Sequence, residues 1–296
     1  MGSTPHRIFK YVSPDRIDII EKLRIRFTPP SCFNDPFEAR FCIDGLDDDK
    51  VMCPYVEMAD RRHYRAHVLV RPAGTKLLSF EEFQKHEAPR NRAALEQLKR
   101  NPRAKERATA RAQEYWDIVG ILSLSAAENN VLMWAHYTNS HEGMVIEFNT
   151  AHQFFSPSTK PEIDLGTLVG VNYSDKRPRH VIGETVPPAH FTVKSREWAY
   201  EQEWRVFQPL ENSDYKESAG GQTIHLFKLP PKAITRIVCG CRMSDDNRKR
   251  VCEAVSRNPQ LHGVTVLHAT PDIETFRLVY SRETPLRPAT INPLRL

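Results

Sequence analysis

No hydrophobic run in this sequence approaches the ~20 residues that a membrane-spanning helix requires, so no membrane-embedded segment is expected. The first residues, Met-Gly-Ser-Thr-Pro-His, lack the apolar core of a signal peptide. His6 also stands where a myristoylation signal needs Ser or Thr. A cytoplasmic protein is the expectation. Cysteine is scarce and scattered, with no C-x-x-C pair among Cys32, Cys42, Cys53, Cys239, Cys241 and Cys252. That spacing excludes a disulfide framework, and Cys239-Gly240-Cys241 lacks the second pair that a zinc site needs; reduced, structural thiols are expected. Neither G-x-G-x-x-G nor G-x-x-x-x-G-K-[ST] occurs, which removes the Rossmann and P-loop readings.

What is present is polar and unevenly charged. Charged residues make up 27% and apolar residues 40% of 296, which fits a globular chain of one large domain or two small ones. The net charge is +5, yet residues 61–111 hold fourteen Lys/Arg against five Glu, which leaves the remainder slightly acidic. Such an excess would attract phosphate backbones and makes nucleic acid the candidate partner. It also fits the solvated face of a helical insertion, since aromatic residues are sparse there.

Residues 8–12 read as a short strand. A helix follows, with Ser13 as its cap, Pro14 at its first turn, and Ile17, Ile20 and Leu23 at helical spacing. Residues 25–28 suggest a second strand, ended by Pro29-Pro30. Asn34-Asp35-Pro36 is a turn signal, because Asn and Asp cap their own backbone and Pro fixes φ, with Phe33 and Phe37 as its anchors. A turn does not explain Glu38. Residues 44–78 show no firm period, and Ser79 with Glu82 forms a capping box. Helices split by Pro89 and Pro102 then run toward Trp116, so 44–117 is expected as a mostly helical, basic insertion.

Residues 118–125 predict a strand ending in Ser123-Leu124-Ser125. A helix over 128–139 would put Val131, Trp134, Ala135 and Thr138 on one face and Met133, His136 and Tyr137 on the other. After Gly143, residues 144–148 form a strand carrying Glu147, and 168–173 form another. Farther on, Glu203, Arg205 and Phe207 would line one face of a strand, with Trp204 and Val206 on the other. Glu201 and Glu203, flanked by Lys194 and Arg205, would divide roles, since burial raises a carboxyl pKa and a nearby cation lowers it. A structural salt-bridge set is the plain alternative. A strand over 234–239, a helix capped at Ser244 and a strand over 264–268 close the chain as a β-α-β scaffold. The pattern predicts one α+β domain over 1–296, a mixed sheet with the helical insertion inside it.

Five stretches are specific in combination: Phe9-Lys10-Tyr11, Phe33-Asn34-Asp35-Pro36-Phe37-Glu38, Leu122-Ser123-Leu124-Ser125, Met133-Trp134-Ala135-His136-Tyr137 and Trp198-Ala-Tyr-Glu-Gln-Glu-Trp-Arg205. Together they resemble the bacterial domain-of-unknown-function family DUF2971, over about residues 8–268. That family name implies no reaction. The order of the pieces is also similar, more distantly, to ADP-ribosyltransferases. Those enzymes hold NAD with a first-strand residue, support the nicotinamide ribose with a Ser-x-Ser-like strand end or a Tyr, and carry a late Glu, often in Glu-x-Glu. Here Lys10 and Tyr11 lie on the first strand, Ser123 and Ser125 end the middle strand, and Glu201-Gln202-Glu203 comes late. The usual first-strand His or Arg has only His6 or Arg7 to represent it.

This second resemblance implies NAD as substrate and needs no metal. Glu203 would stabilise the oxocarbenium-like ribose left as nicotinamide departs, and Glu201 would orient or deprotonate the acceptor. Tyr137 or Tyr11 would stack on nicotinamide, and His136 would hydrogen-bond a ribose hydroxyl or phosphate. Asn34, Asp35, Glu38, Trp134, Lys194 and Arg205 complete the candidate set. One competing expectation is a nucleic-acid-associated effector without NAD chemistry, gripping phosphates through residues 61–111. Another is a metal-dependent hydrolase using Asp35, Glu38, Glu147 and Glu203, for which no compact ligand motif is present.

Overall fold

The computed structural model describes residues 3–46, 48–70, 77–101, 103, 104, 106, 107, 109, 110, 117–156, 166–181 and 187–282. β1 (Arg7–Val12) turns Ile8 and Val12 to one face and Phe9 and Tyr11 to the other, all buried, as befits a strand covered on both sides. The helix expected after it is shorter and less regular. Ser13 makes no side-chain cap to the 3-10 turn Pro14–Ile17, and α1 (Asp18–Lys22) ends at Leu23 in the left-handed region, φ 51°. β2 (Arg24–Phe27) and β3 (Cys42–Asp44) come next.

α2 (Asp49–Val70) lies where the sequence shows no firm period, and α3 (Phe80–Arg100) follows it. The capping box is formed: Ser79 Oγ accepts from Glu82 N (3.1 Å) and the Glu82 carboxylate accepts from Ser79 N (2.8 Å). Pro89 does not divide the region. It lies inside α3, as Pro54 lies inside α2. One lost backbone donor in a helix of 21 residues leaves the remaining ladder able to carry it. Pro102 and Trp116 lie outside the described residues.

β4 (Val119–Ser125), α4 (Val131–Tyr137) and β5 (Met144–Asn149) follow. α4 is capped by Asn130, whose side chain accepts from Leu132 N and Met133 N. So short a helix buries a different face from the expected one: Met133, Trp134 and Thr138 are inside, while Val131 is exposed. The strand expected over 168–173 is two short ones, β6 (Val169–Gly170) and β7 (Asn172–Tyr173). Between them Val171 N still bonds Glu203 O (2.8 Å) before the chain changes partners. β8 (Arg179–Val181), β9 (Val193–Lys194) and β10 (Glu203–Pro209) lead to a hairpin, β11 (Tyr215–Ala219) and β12 (Gln222–Lys228). β13 (Ile234–Cys239), α5 (Asp245–Arg257) and β14 (Thr265–Pro271) form the β-α-β unit, and β15 (Leu278–Arg282) pairs back on β14.

The main sheet has eight strands in the order β15-β14-β13-β5-β1-β4-β10-β6. β13 and β14 run parallel across their helical crossover, while the other pairings in this sheet are antiparallel. On one face Ile8, Val12, Leu122, Leu124, Ile146, Phe148 and Val206 join a core completed by α1 and α5. On the other, Phe9, Tyr11, Val145 and Val238 pack under Met133 and Trp134 of α4. Strands and helices thus close a single α+β domain on a mixed sheet.

A fork in the sheet places the site. Ile121, Ser123 and Ser125 of β4 alternate so that their backbone groups point the same way. Ser125 pairs with Phe9 of β1. Four residues earlier, Ile121 exchanges two backbone hydrogen bonds with Thr28 just past β2, both 2.9 Å. Between these points β1 and β2 diverge, and the Ser123 carbonyl accepts from the Lys10 ammonium instead (2.8 Å).

Candidate functional site

The fork opens into a cavity of about 590 Å³. β1 contributes Phe9, Lys10 and Tyr11, β2 and its extension contribute Arg26 and Thr28, and β4 contributes Ser123 and Ser125. Phe33, Asn34 and Glu38 come from the Asn-Asp-Pro turn, Met133 and Tyr137 from α4, and Lys194, Glu201 and Glu203 from the late cluster. Polar groups therefore converge from segments far apart in the chain. Pockets built this way are the usual form of a ligand site.

Its floor is an ionic network. Lys194 Nζ meets Glu201 Oε2 at 2.6 Å, Glu203 Oε2 at 2.9 Å and Glu38 Oε2 at 3.5 Å. Arg205 Nε donates to Glu203 Oε1 (2.8 Å) and its Nη2 to Glu203 Oε2 (3.0 Å). The same Nη2 donates to Glu38 Oε1, and Nη1 to the Phe191 carbonyl. Both cations also face aromatic rings, Lys194 over Trp198 (5.2 Å) and Arg205 over Phe33 (5.4 Å). Local structure sets Glu201 in this network. It ends the 3-10 turn Arg196–Glu201, and Gln202 at φ 45° then swings the chain into β10. Ser125 Oγ donates to the Glu201 carbonyl and accepts from Ala127 N (3.0 Å), tying that turn to the end of β4.

The three carboxyls are not equivalent. Burial pushes Glu203 up, but Arg205 and Lys194 more than offset it and hold it at about 2. Burial wins at Glu201, which is raised despite Lys194 and the hydrogen bond from Tyr137 Oη. Glu38 is raised by burial as well, against the pull of Arg205. Tyr137 is held well above the usual phenol range by burial and by Glu201. Burial lowers Lys194, yet Glu203, Glu38 and Glu201 leave it raised overall. Lys10 is pulled down to about 8, chiefly by burial, with Arg16 and Lys194 adding to the effect and Glu203 and Glu201 opposing it.

Of the residues singled out in the sequence, Lys10, Tyr11, Asn34, Glu38, Ser123, Ser125, Tyr137, Lys194, Glu201 and Glu203 line one cavity, with Arg205 buried beneath them. Three others do not line it either. Trp134 is fully buried in the core, its ring parallel to His141 at 6.2 Å. His136 is exposed, its Nδ1 2.9 Å from Tyr200 Oη. Asp35 accepts from Phe37 N (2.8 Å) as a turn cap and lines a second cavity of about 200 Å³, which shares Glu38 and Lys194 with the first. Phe37 does not anchor the turn, because its ring is 64% exposed. Tyr11 is tied down, donating to the Ala127 carbonyl (2.8 Å) and lying edge-on to Trp134.

Of the four carboxylates named for a metal hydrolase, Glu147 lies apart from the others. Glu147 sits beside Arg236 and accepts from Thr235 Oγ1 (2.6 Å), outside the lining of either cavity. Among the described residues no group of three or more His, Cys, Asp or Glu is placed to hold a metal ion. Arg26, Ser13, Thr28 and Cys32 are lining residues that the sequence reading missed. The available signal for Arg26 was the alternation in Arg24-Ile25-Arg26-Phe27, which turns both arginines away from the core that buries Ile25 and Phe27.

Residues 133–206 match the model of a family described as a protein of unknown function, DUF2971. That stretch is similar to DUF2971. It spans α4 to the middle of β10, and so includes Tyr137, Lys194, Glu201, Glu203 and Arg205. The fork residues of β1, β2 and β4 lie outside the DUF2971 match. No curated protein and no solved structure matches the chain. No described helix is long and apolar enough to cross a membrane.

Proposed function

We propose that the fork cavity is an active site and that the chain is an ADP-ribosyltransferase-like enzyme, transferring ADP-ribose from NAD to a protein or nucleic-acid acceptor. The observation that carries this reading is the unequal pair at the cavity floor. Glu203, held ionised by Arg205 and Lys194, supplies a fixed negative charge for the ribose cation that develops as nicotinamide leaves. Glu201, raised by burial and accepting a hydrogen bond from Tyr137 Oη, suits proton transfer. The step balances. The ribose C1′–nicotinamide N1 bond breaks and nicotinamide leaves neutral. The acceptor's oxygen or nitrogen bonds C1′ and gives its proton to Glu201.

Other features fit the same ligand. Phe9, Phe33, Tyr11 and Tyr137 give the cavity aromatic walls for a nicotinamide ring, and Asn34, Ser123 and Ser125 give it polar groups for ribose hydroxyls. Exposed cations on α2 and α3, among them Arg62, Arg65 and Lys85, would draw a nucleic-acid acceptor toward the molecule. No metal enters the scheme.

The test is nicotinamide release from NAD by the purified chain, with protein and nucleic-acid acceptors supplied, for wild type and Glu201→Gln. Release is expected in the wild type, with a drop of about 100-fold or more in the variant, the range for losing a general base. Glu201→Gln suits this test better than Glu203→Gln, because Glu203 meets two buried cations and its loss would disturb folding. No release by wild-type protein with any acceptor would end the transferase reading.

A further inference from the structure

The cations of the cavity fall into two sets. Lys194 and Arg205 are committed to the carboxylates of the floor. Lys10 and Arg26 are not, although both line the same space. They come from the two diverging arms, Lys10 from β1 and Arg26 from β2.

Arg26 stands apart from its neighbour on the same strand. Arg24 is satisfied, with Glu217 at 3.6 Å and the Tyr215 ring beneath its guanidinium at 3.5 Å. Arg26 pairs with no carboxylate among the described residues, and its Nε is buried without a hydrogen-bond partner. A buried guanidinium N–H without an acceptor is costly, and it leaves Arg26 with unspent donor capacity beside the cavity that it lines. Lys10 spends one of its three N–H groups on the Ser123 carbonyl. Its ammonium is disfavoured by burial, which Glu203 and Glu201 offset only in part, so a negative charge hydrogen-bonded beside it would be favoured. The hydroxyls of Ser13 and Thr28 line the same cavity and add neutral donors.

We propose that Lys10 and Arg26, facing the fork from its two arms, form the subsite for a phosphate or diphosphate group of the ligand. A planar guanidinium fork and a point-charge ammonium are complementary ways of holding phosphoryl oxygens. This subsite deepens the proposed reading, because it assigns the diphosphate linkage of the donor, and it rests on that reading only for the identity of the whole ligand. It also divides the cavity by charge, with anion binding at the arms and the reacting ribose at the carboxylate floor.

The experiment is calorimetric titration of the full chain with inorganic diphosphate, for wild type, Arg26→Gln, Lys10→Met and, as a control on the same strand, Arg24→Gln. Wild type is expected to bind, and each cavity variant to bind about tenfold more weakly or worse, as loss of a charge-assisted contact implies. Arg24→Gln should bind as wild type does. A second readout needs no substitution: acetylation of Lys10, followed by mass spectrometry, should slow when diphosphate is added. No diphosphate binding by wild type, equal affinity in Arg26→Gln and Arg24→Gln, or unchanged Lys10 labelling would overturn the subsite. Diphosphate has no glycosidic bond, so its binding can persist where nicotinamide release fails, and the two proposals fail separately.

Discussion

Arg205 has no exposed surface and donates to Glu203, Glu38 and the Phe191 carbonyl, so its removal strands two buried carboxyls at once. Arg205→Met is expected to cost roughly 3–5 kcal/mol in urea unfolding, as breaking one side of a buried ion pair does. A cost below about 1 kcal/mol would mean that the network reorganises around the gap. Lys10 makes a pH-dependent contribution of the opposite kind. Its folded pKa of about 8 lies below the 10.5 of the unfolded chain, so between those values the unfolded state binds more protons. Stability from this group is therefore present above pH 10.5 and is lost as pH falls through about 8. Measured by urea unfolding from pH 7.5 to 10.5, wild type should gain on Lys10→Met by up to about 3 kcal/mol. A flat difference would show that Lys10 titrates normally.

At the scale of elements, the site depends on how closely α4 and its following turn lie against the sheet. A side chain at Gly143 would place Cβ 2.0 Å from the Val12 carbonyl oxygen, and one at Gly240 would place it 2.1 Å from the His141 oxygen. Both contacts are with backbone, which has nowhere to go. Gly240 N bonds Gly143 O (2.8 Å) and Arg242 N bonds His141 O (3.1 Å), so this turn is held to the end of β13. Gly143→Ala is expected to destabilise by about 3 kcal/mol, the upper part of the usual range for overpacking, and to move Tyr137 away from Glu201. Thermal unfolding reads the first effect, and the pH dependence of any Glu201-linked activity reads the second.

Elements of this kind were legible where local chemistry decides them. The Ser79–Glu82 box, the alternation of β10 and the Ser244 cap all form, the last with Ser244 Oγ accepting from Asn247 N. They were illegible where pairing decides. β6 and β7 change partners within one apolar run, and α4 rotates its buried face to suit β1 and β5. The hairpin β11–β12 matters because it pairs with β2 and so holds one arm of the fork, but its own sequence gave no reason to place it there.

Over the whole molecule, residues from the first strand to the tenth meet at one place because the central sheet is incomplete on one line. β4 keeps β10 along its full length on one side. On the other side it is shared between β1 at Ser125 and the end of β2 at Ile121. Residue types alone suggested most of the cavity lining, since Lys10, Glu38, Ser123, Tyr137, Glu201 and Glu203 are unusual amid apolar neighbours. The pairing of Lys194 and Arg205 with the late carboxylates was open in the sequence as a salt-bridge set, but that Glu38 joins them and that Arg26 faces the same space was not, because both depend on which distant segments meet. The most direct measurement is a crystal structure of the chain soaked with a non-hydrolysable carbocyclic analogue of NAD. The nicotinamide-bearing ring is expected against Glu201 and Glu203, with the diphosphate between Lys10 and Arg26. An analogue bound elsewhere, or no density at millimolar soaking concentrations with the fork open to solvent, would contradict it.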